Sequence, residues 1–357
     1  MKVKATYPHL DILFDDSHEL EISSNSKIVI FSDLHMGDGG NTDDYALKAE
    51  IFHQILSHYQ KQEFFLILNG DVEELQRFKL SAITHRWKDT YKLFDKFAKH
   101  GRFFKTVGNH DMALRLDISP SSDYILYETL KLNYFNDELF VFHGHQASKK
   151  YQKNHDLIGF TLKYVANPLG IKNYSVSHSS KKQYAIEKKA YEYSRLRKIA
   201  SIIGHTHRPL FESPMSRIER LTYEIENLCR VYVESSGKSR VKIVEEIEAK
   251  KSKLTKYTET ELKSERKKDV SIYSQEEGLQ VPCLFSSGCV IGKRGITAIE
   301  ILNGKISLVH WFDEKMEKKY VHLNGQKPKQ IGKSNLFKML LNSESLSYIF
   351  SRIALLS

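Results

Sequence analysis

VIFSDLHMG, residues 29–37, is the stretch whose reading decides this chain. It is an apolar run that stops abruptly on Asp33, Leu34 and His35. Successive side chains along a strand alternate sides, so positions two apart share a face. On that reading Asp33 and His35 stand at the tip of a buried strand and aim at one spot. A lone Asp-x-His occurs often by chance; its weight comes from repetition.

Four further apolar runs end the same way: FFLILNGD (64–71), FFKTVGNHD (103–111), LFVFHGH (139–145) and KIASIIGHTH (198–207). Their length, β-branched and aromatic content, and terminal Gly or Asn suit buried strands. Between the first three lie helical patterns, DDYALKAEIFHQILSHYQ (43–60) and HRWKDTYKLFDKFAKHG (85–101), with apolar residues three and four apart. Strand and helix in alternation predict an α/β layered sheet. Strands return at CLFSSGCVIG (283–292) and GITAIEILNGKISLVHWF (295–312), with Asn303-Gly304 as a hairpin turn.

The 357 residues allow one large domain with insertions, or two domains. The 41% hydrophobic share suffices for a packed core. Three cysteines without a C-x-x-C pair exclude a disulfide framework and a thiolate zinc site. The charge-broken N-terminus carries no signal-like or spanning segment, so the cytoplasm is the expected compartment. The net charge of +10 is concentrated: between Gln146 and Ile203 twelve Lys or Arg face three acids. Such a block expects an anionic partner. Two helices are expected within it, around 149–166 and 181–198, forming a basic helical cap over 146–200. Residues 213–280, without strand signals, read as an inserted helical hairpin. Residues 326–357 read as a C-terminal amphipathic tail, packed on the body or lying on a membrane.

Every one of the five runs thus ends in groups that bind divalent metals: Asp33 and His35, Asp71, Asn109 with His110, His143, and His205 with His207. In open α/β sheets ligand sites gather beyond the carboxyl ends of the strands. Oxygen and imidazole donors without thiolate favour manganese, iron or zinc, with manganese the expected ion. The donors outnumber what one ion needs, so two ions are expected, with Asp71 as the bridge. Such a pair clamps a phosphoryl group and lowers the pKa of a bridging water to make a hydroxide nucleophile.

The ordered blocks SDLH, NGD, GNHD, FHGH and GHTH resemble the signature of the calcineurin-like metallophosphoesterase family. The resemblance covers 27–210 and the strands at 281–312. It implies a four-layer αββα sandwich with helical insertions, built from 1–212 and 281–325. It also implies one ion on Asp33, His35, Asp71 and His207, and another on Asp71, Asn109, His143 and His205. His110 would stabilise the phosphoryl charge or protonate the leaving oxygen, oriented by Asp111. His145 is a further candidate beside the ligands.

Within that family, NGDVEEL with Glu74, the basic insertion and GHTHRP resemble UDP-2,3-diacylglucosamine pyrophosphatases. His110 in place of an Arg, the segment 213–280 and the long tail depart from that group. A phosphorylated anionic substrate is expected in any case, with peripheral contact to the inner face of the membrane through the basic cap or the C-terminal helix. Nucleic acid is the alternative partner, since Tyr151, Tyr164, Tyr174, Tyr184, Tyr191 and Tyr193 interleave the basic residues and could stack bases.

Overall fold

The computed structural model describes residues 7–115, 124–148, 180–213, 281–313 and 328–357, with most of 221–265. The first helix of the basic block, around 149–166, lies outside the described residues, as do Tyr151, Tyr164 and Tyr174.

Two sheets carry the molecule. The larger joins β2 (Lys27–Phe31), β3 (Phe65–Asn69), β4 (Phe103–Thr106) and β5 (Leu126–Tyr127) in parallel. On the other side of β2 it continues antiparallel through β11 (Ile296–Leu302) and β12 (Lys305–Asp313) to β14 (Leu336–Ser345), with β13 (Lys329–Gln330) at the edge. The smaller runs β1 (His18–Ile22), β6 (Leu130–Tyr134), β7 (Asp137–Val141), β8 (Ala200–Ile203), β10 (Leu284–Ser287) and β9 (Pro209–Leu210). Asn303 and Gly304 both take positive φ, as the two-residue turn between β11 and β12 demands.

Alternation along single strands explains the layering. On β2, Ile28 and Ile30 point into the core between the sheets, where they meet Leu139 and Val141 of β7 and Ile202 of β8. Val29 and Phe31 point the other way, to a second core formed with Phe52, Ile55 and Tyr59 of α2 (Ala49–Lys61) and Phe94 and Phe97 of α4 (Lys88–Ala98). On the smaller sheet Phe140 and Phe142 face a third core, made with Leu10 and Phe14 of α1 (Pro8–Asp15) and Ile186, Ala190 and Tyr193 of α5 (Ser180–Arg197). Strands buried on both faces need apolar residues at every position, which is why these runs read as continuous rather than alternating. Three cores between four layers make the αββα sandwich.

Three expectations change. The helical pattern over 85–101 divides into α3 (Leu80–Arg86) and α4, hinged at Trp87, whose indole N–H donates to the Gly37 carbonyl at 2.9 Å. The basic segment over 181–198 is not a free cap. α5 is an outer layer of the sandwich, held by an apolar face at helical spacing, while Lys181, Lys182 and Lys188 face solvent. The C-terminal segment is not a single amphipathic tail. Its first half is β14, which completes the larger sheet, and only α7 (Leu346–Leu356) is helical. Leu346, Ile349, Phe350 and Ile353 of α7 are buried in the core between the sheets. Each such side chain stabilises the fold by roughly 1.5–3 kcal/mol, so this face belongs to the body rather than to a membrane.

In the region expected as a hairpin, the described residues between 221 and 233 are helical, a turn follows at 235–237, and α6 (Lys238–Glu265) runs onward. Lys250 Nζ pairs with Glu224 Oε2 at 2.6 Å across the two arms. No helix among the described residues is long and apolar enough to cross a membrane.

Candidate metal centre

β2, β3 and β4 of one sheet and β7 and β8 of the other end at a common edge, and the five polar blocks begin there. Strand alternation does not align Asp33 with His35, because β2 stops at Phe31. Both residues instead take left-handed backbone, with φ of +55° and +47°. Asp71, His205 and His207 do the same, at +52°, +64° and +56°. Non-glycine residues seldom occupy this region, at a cost of order 1–3 kcal/mol each, and they persist only where surrounding structure over-determines them. Here it does. Asp33 N–H donates to the Gly70 carbonyl at 3.1 Å, His35 N–H to that of Asp71 at 3.0 Å, and Met36 N–H to that of Val72 at 2.9 Å. Gly108 is required at the start of the Asn109 block: a Cβ there would lie 2.1 Å from Asp71 Oδ1.

Three overlapping donor groups result: Asp33, His35 and His207; His35, Asp71 and His110; and Asp71, His143 and His205. Asp71 is the common member of the last two. Its Oδ2 lies 3.1 Å from His143 Nε2, 3.7 Å from His35 Nε2 and 4.0 Å from His110 Nε2. His207 Nε2 lies 3.1 Å from Asp33 Oδ1 and 3.2 Å from His35 Nε2. Asp33 Oδ1, Asn109 Oδ1 and His143 Nε2 are buried with no hydrogen-bond partner of acceptable geometry. Buried polar atoms left this way are costly unless something else satisfies them. All three belong to residues expected as ligands, and the oxygen and nitrogen donor set suits a divalent cation.

A family model described as calcineurin-like phosphoesterase matches residues 26–216. The chain belongs to that family. Among solved structures it is similar to a conserved uncharacterised protein, a predicted phosphoesterase, from Streptococcus pneumoniae, at 13% identity and a TM-score of 0.23. The match covers 52% of this chain and 65% of that one, so the chain spans less than two thirds of that protein. No curated protein matches. Calcineurin-like phosphoesterases use divalent metals, and the donors for them are present here.

In this calcineurin-like phosphoesterase the electrostatics of the cluster suit cation binding. Burial opposes ionisation of Asp33, yet His207 and His143 beside it hold the carboxyl well below the usual range. Asp71 is likewise held low against burial by His143 and His110. Burial opposes charging of His143 and His207, but Asp71 and Asp33 beside the first, and Asp33 beside the second, push each up to about 9. A bound cation would take the place of those protons. His205 is pushed down to about 3 by burial and by His143, which leaves its imidazole neutral, the form a metal requires.

The supporting contacts revise one expected role. Asp111 does not orient His110. It is buried, and its carboxylate accepts the N–H groups of Gly108 at 2.6 Å and Val72 at 2.7 Å, which pins one ligand loop to another. Burial and the charge of Asp71 push it up to about 6. The residue that orients His110 is Glu74. Its two oxygens accept from His110 Nδ1 at 2.8 Å and from His35 Nδ1 at 3.0 Å, leaving Nε2 of each ring facing the cluster. Burial opposes its charge, but hydrogen bonds from both histidines bring Glu74 down to about 2.

Asn69 carries a role that its place in NGD did not reveal. Its carbonyl accepts from His143 Nδ1 at 2.7 Å, its amide donates to the Phe142 carbonyl at 3.0 Å, and its Oδ1 accepts from Thr106 at 2.9 Å. One buried side chain thus locks the two sheets at the edge where the ligands emerge. The ring of His145 lies 5.4 Å from that of His143, and burial, then His143 and His205, hold it well below the usual histidine range. Gln183 of α5 donates to the Thr206 carbonyl at 2.7 Å, so the outer helix braces the His205 and His207 loop. Asn109, His110 and His207 are half-buried whereas Asp33, Asp71 and His143 are sealed, so the open side of the cluster runs across the first three.

Proposed function

We propose that this chain is a dinuclear, metal-dependent phosphoesterase acting on an anionic phosphorylated substrate. The observation that carries the reading is that Asp71 belongs to two donor groups, one with His35 and His110 and one with His143 and His205, beside buried Asp33, Asn109 and His143 atoms that make no hydrogen bond. Asp33, His35 and His207 would hold one ion, and Asn109, His143 and His205 the other, with Asp71 shared. Two divalent cations supply the charge that clamps a phosphoryl group and activates water at neutral pH.

The protein's own groups do the rest. The Asp71 carboxylate offsets the repulsion of two nearby cations. His110 Nδ1–H is held by Glu74, so a protonated His110 presents Nε2–H on the open side. There it stabilises phosphoryl charge or gives its proton to the departing oxygen. Lys181, Lys182 and Lys188 on the solvent face of α5 add positive potential that favours an anionic substrate.

The test is to strip the chain with a chelator, reload it with Mn2+, and assay bis-p-nitrophenyl phosphate. Two equivalents of metal per chain, with turnover lost on stripping and regained on loading, are expected. One equivalent would overturn the dinuclear reading, and turnover indifferent to chelation would overturn the metal-dependent one.

A further inference from the structure

His207 borders two spaces. Its Nε2 faces Asp33 in the donor cluster, and the residue also lines a cavity of about 420 Å³. The cavity's other walls come mostly from the last third of the chain. Met339 and Leu341 of β14 supply apolar surface, Thr297 comes from β11, and Lys293 and Arg294 from the loop between β10 and β11. Lys293 and Arg294 are exposed to solvent.

That loop is registered to the donor cluster at one end and to the sheet at the other. Val290 N–H donates to the Asp33 carbonyl at 3.3 Å, and His310 Nε2 donates to the Arg294 carbonyl at 2.9 Å. Gly295 has φ of +131°, and a Cβ there would lie 2.5 Å from the Trp311 carbonyl oxygen, so the loop can lie this close to β12 only with glycine. Two cations are therefore carried by a braced loop rather than by a wandering one.

We infer that this cavity is the specificity pocket for the organic part of the phosphoester. It takes an apolar or aromatic body against Met339 and Leu341, and a second anionic group of the same molecule pairs with Lys293 and Arg294. The inference rests on the phosphoesterase reading, which puts a phosphoryl group beside His207. The volume is in the range, roughly 300–1,000 Å³, that holds a drug-sized group, far more than a bare phosphate fills. Lys and Arg make strong charge-assisted hydrogen bonds to phosphate or carboxylate oxygens. The preferred substrate class is thus an organophosphate with a bulky apolar or aromatic body and a further negative charge.

Calorimetry with thymidine 3′,5′-bisphosphate, thymidine 5′-monophosphate and inorganic phosphate tests this on the manganese-loaded full chain. The wild type should bind the bisphosphate at least tenfold tighter than inorganic phosphate. The double variant Lys293→Ala with Arg294→Ala should lose at least tenfold for the bisphosphate. Leu341→Trp, which fills the cavity, should lose at least tenfold for both nucleotides. Equal wild-type affinity for all three probes, or bisphosphate affinity retained in both variants, would overturn the pocket. The double variant alters only exposed side chains, so the test survives if the tryptophan variant misfolds. Manganese-dependent hydrolysis of methyl p-nitrophenyl phosphate by the wild type is measured alongside. Turnover there with unaltered nucleotide binding in the variants overturns the pocket alone, whereas no turnover overturns the enzymatic reading.

Discussion

The donor cluster and the cavity beside it share His207, yet they are built in opposite ways. The cluster comes from the ends of five strands, all within the span matched by the family model, and its central members are sealed from solvent. Its loops are cross-linked by backbone hydrogen bonds and by the Asp111, Asn69 and Glu74 side chains, and five of its residues take left-handed backbone. The cavity is built mostly of residues 289–341, beyond that span, and displays its cations to water. The difference teaches that the reactive groups are set by short, locally coded loops. What stands next to them is decided by a distant part of the chain folding back.

Substitutions can break or sharpen that contrast, ordered here by their expected effect on turnover. Asp71→Asn should abolish turnover and weaken both metals, because it removes the charge shared by the two donor groups. Metal titration and steady-state kinetics check it, and a variant that retains two tight metals would deny Asp71 its bridging place. His110→Ala should keep its metal and lose roughly 10²–10⁴ in rate, the usual range for a lost acid–base group. Unchanged turnover would sink the role given to His110.

Glu74→Gln should cost about 10–100-fold in metal affinity or activity, the range for partners that orient ligating histidines. Loss of turnover with metal affinity intact would show that Glu74 serves His110 alone and not His35. Phe350→Ala, in the C-terminal helix, should lower folding stability by about 3–5 kcal/mol while turnover per folded molecule stays as in the wild type. Denaturant midpoints and the active fraction measure the two separately. A fall in turnover per folded molecule would mean that the C-terminal third shapes the chemistry as well as the walls around it.

The strands and the donors were legible because both are local. Asp33, His35, Asp71, Asn109, His143, His205 and His207 each follow an apolar run within a few residues, and the runs are apolar throughout because both strand faces are covered. Other features were not legible, since no local pattern encodes them. Asp111 sits next to His110 in sequence, yet its carboxylate turns to the backbone of Gly108 and Val72, and the ring of His110 is held from 36 residues away by Glu74. The left-handed backbone at Asp33 and His35 was hidden behind a strand-like run, because hydrogen bonds to the Gly70 and Asp71 carbonyls impose it. LFKMLLNSES reads as amphipathic helix by composition, but nine residues of β12 offer it a ladder, and pairing there outweighs helical preference.

By itself the sequence determined the α/β class, the order of the strands that carry donors, the family and the kind of atom offered to a metal. These depend on residue type and on spacing over a few positions. Tertiary structure alone decided which carboxylate orients His110, that α5 is a layer of the sandwich rather than a lid, and that β14 walls a cavity against His207. Those outcomes depend on contacts between residues far apart in the chain, and such contacts form only once apolar burial has brought the two sheets and their helices together.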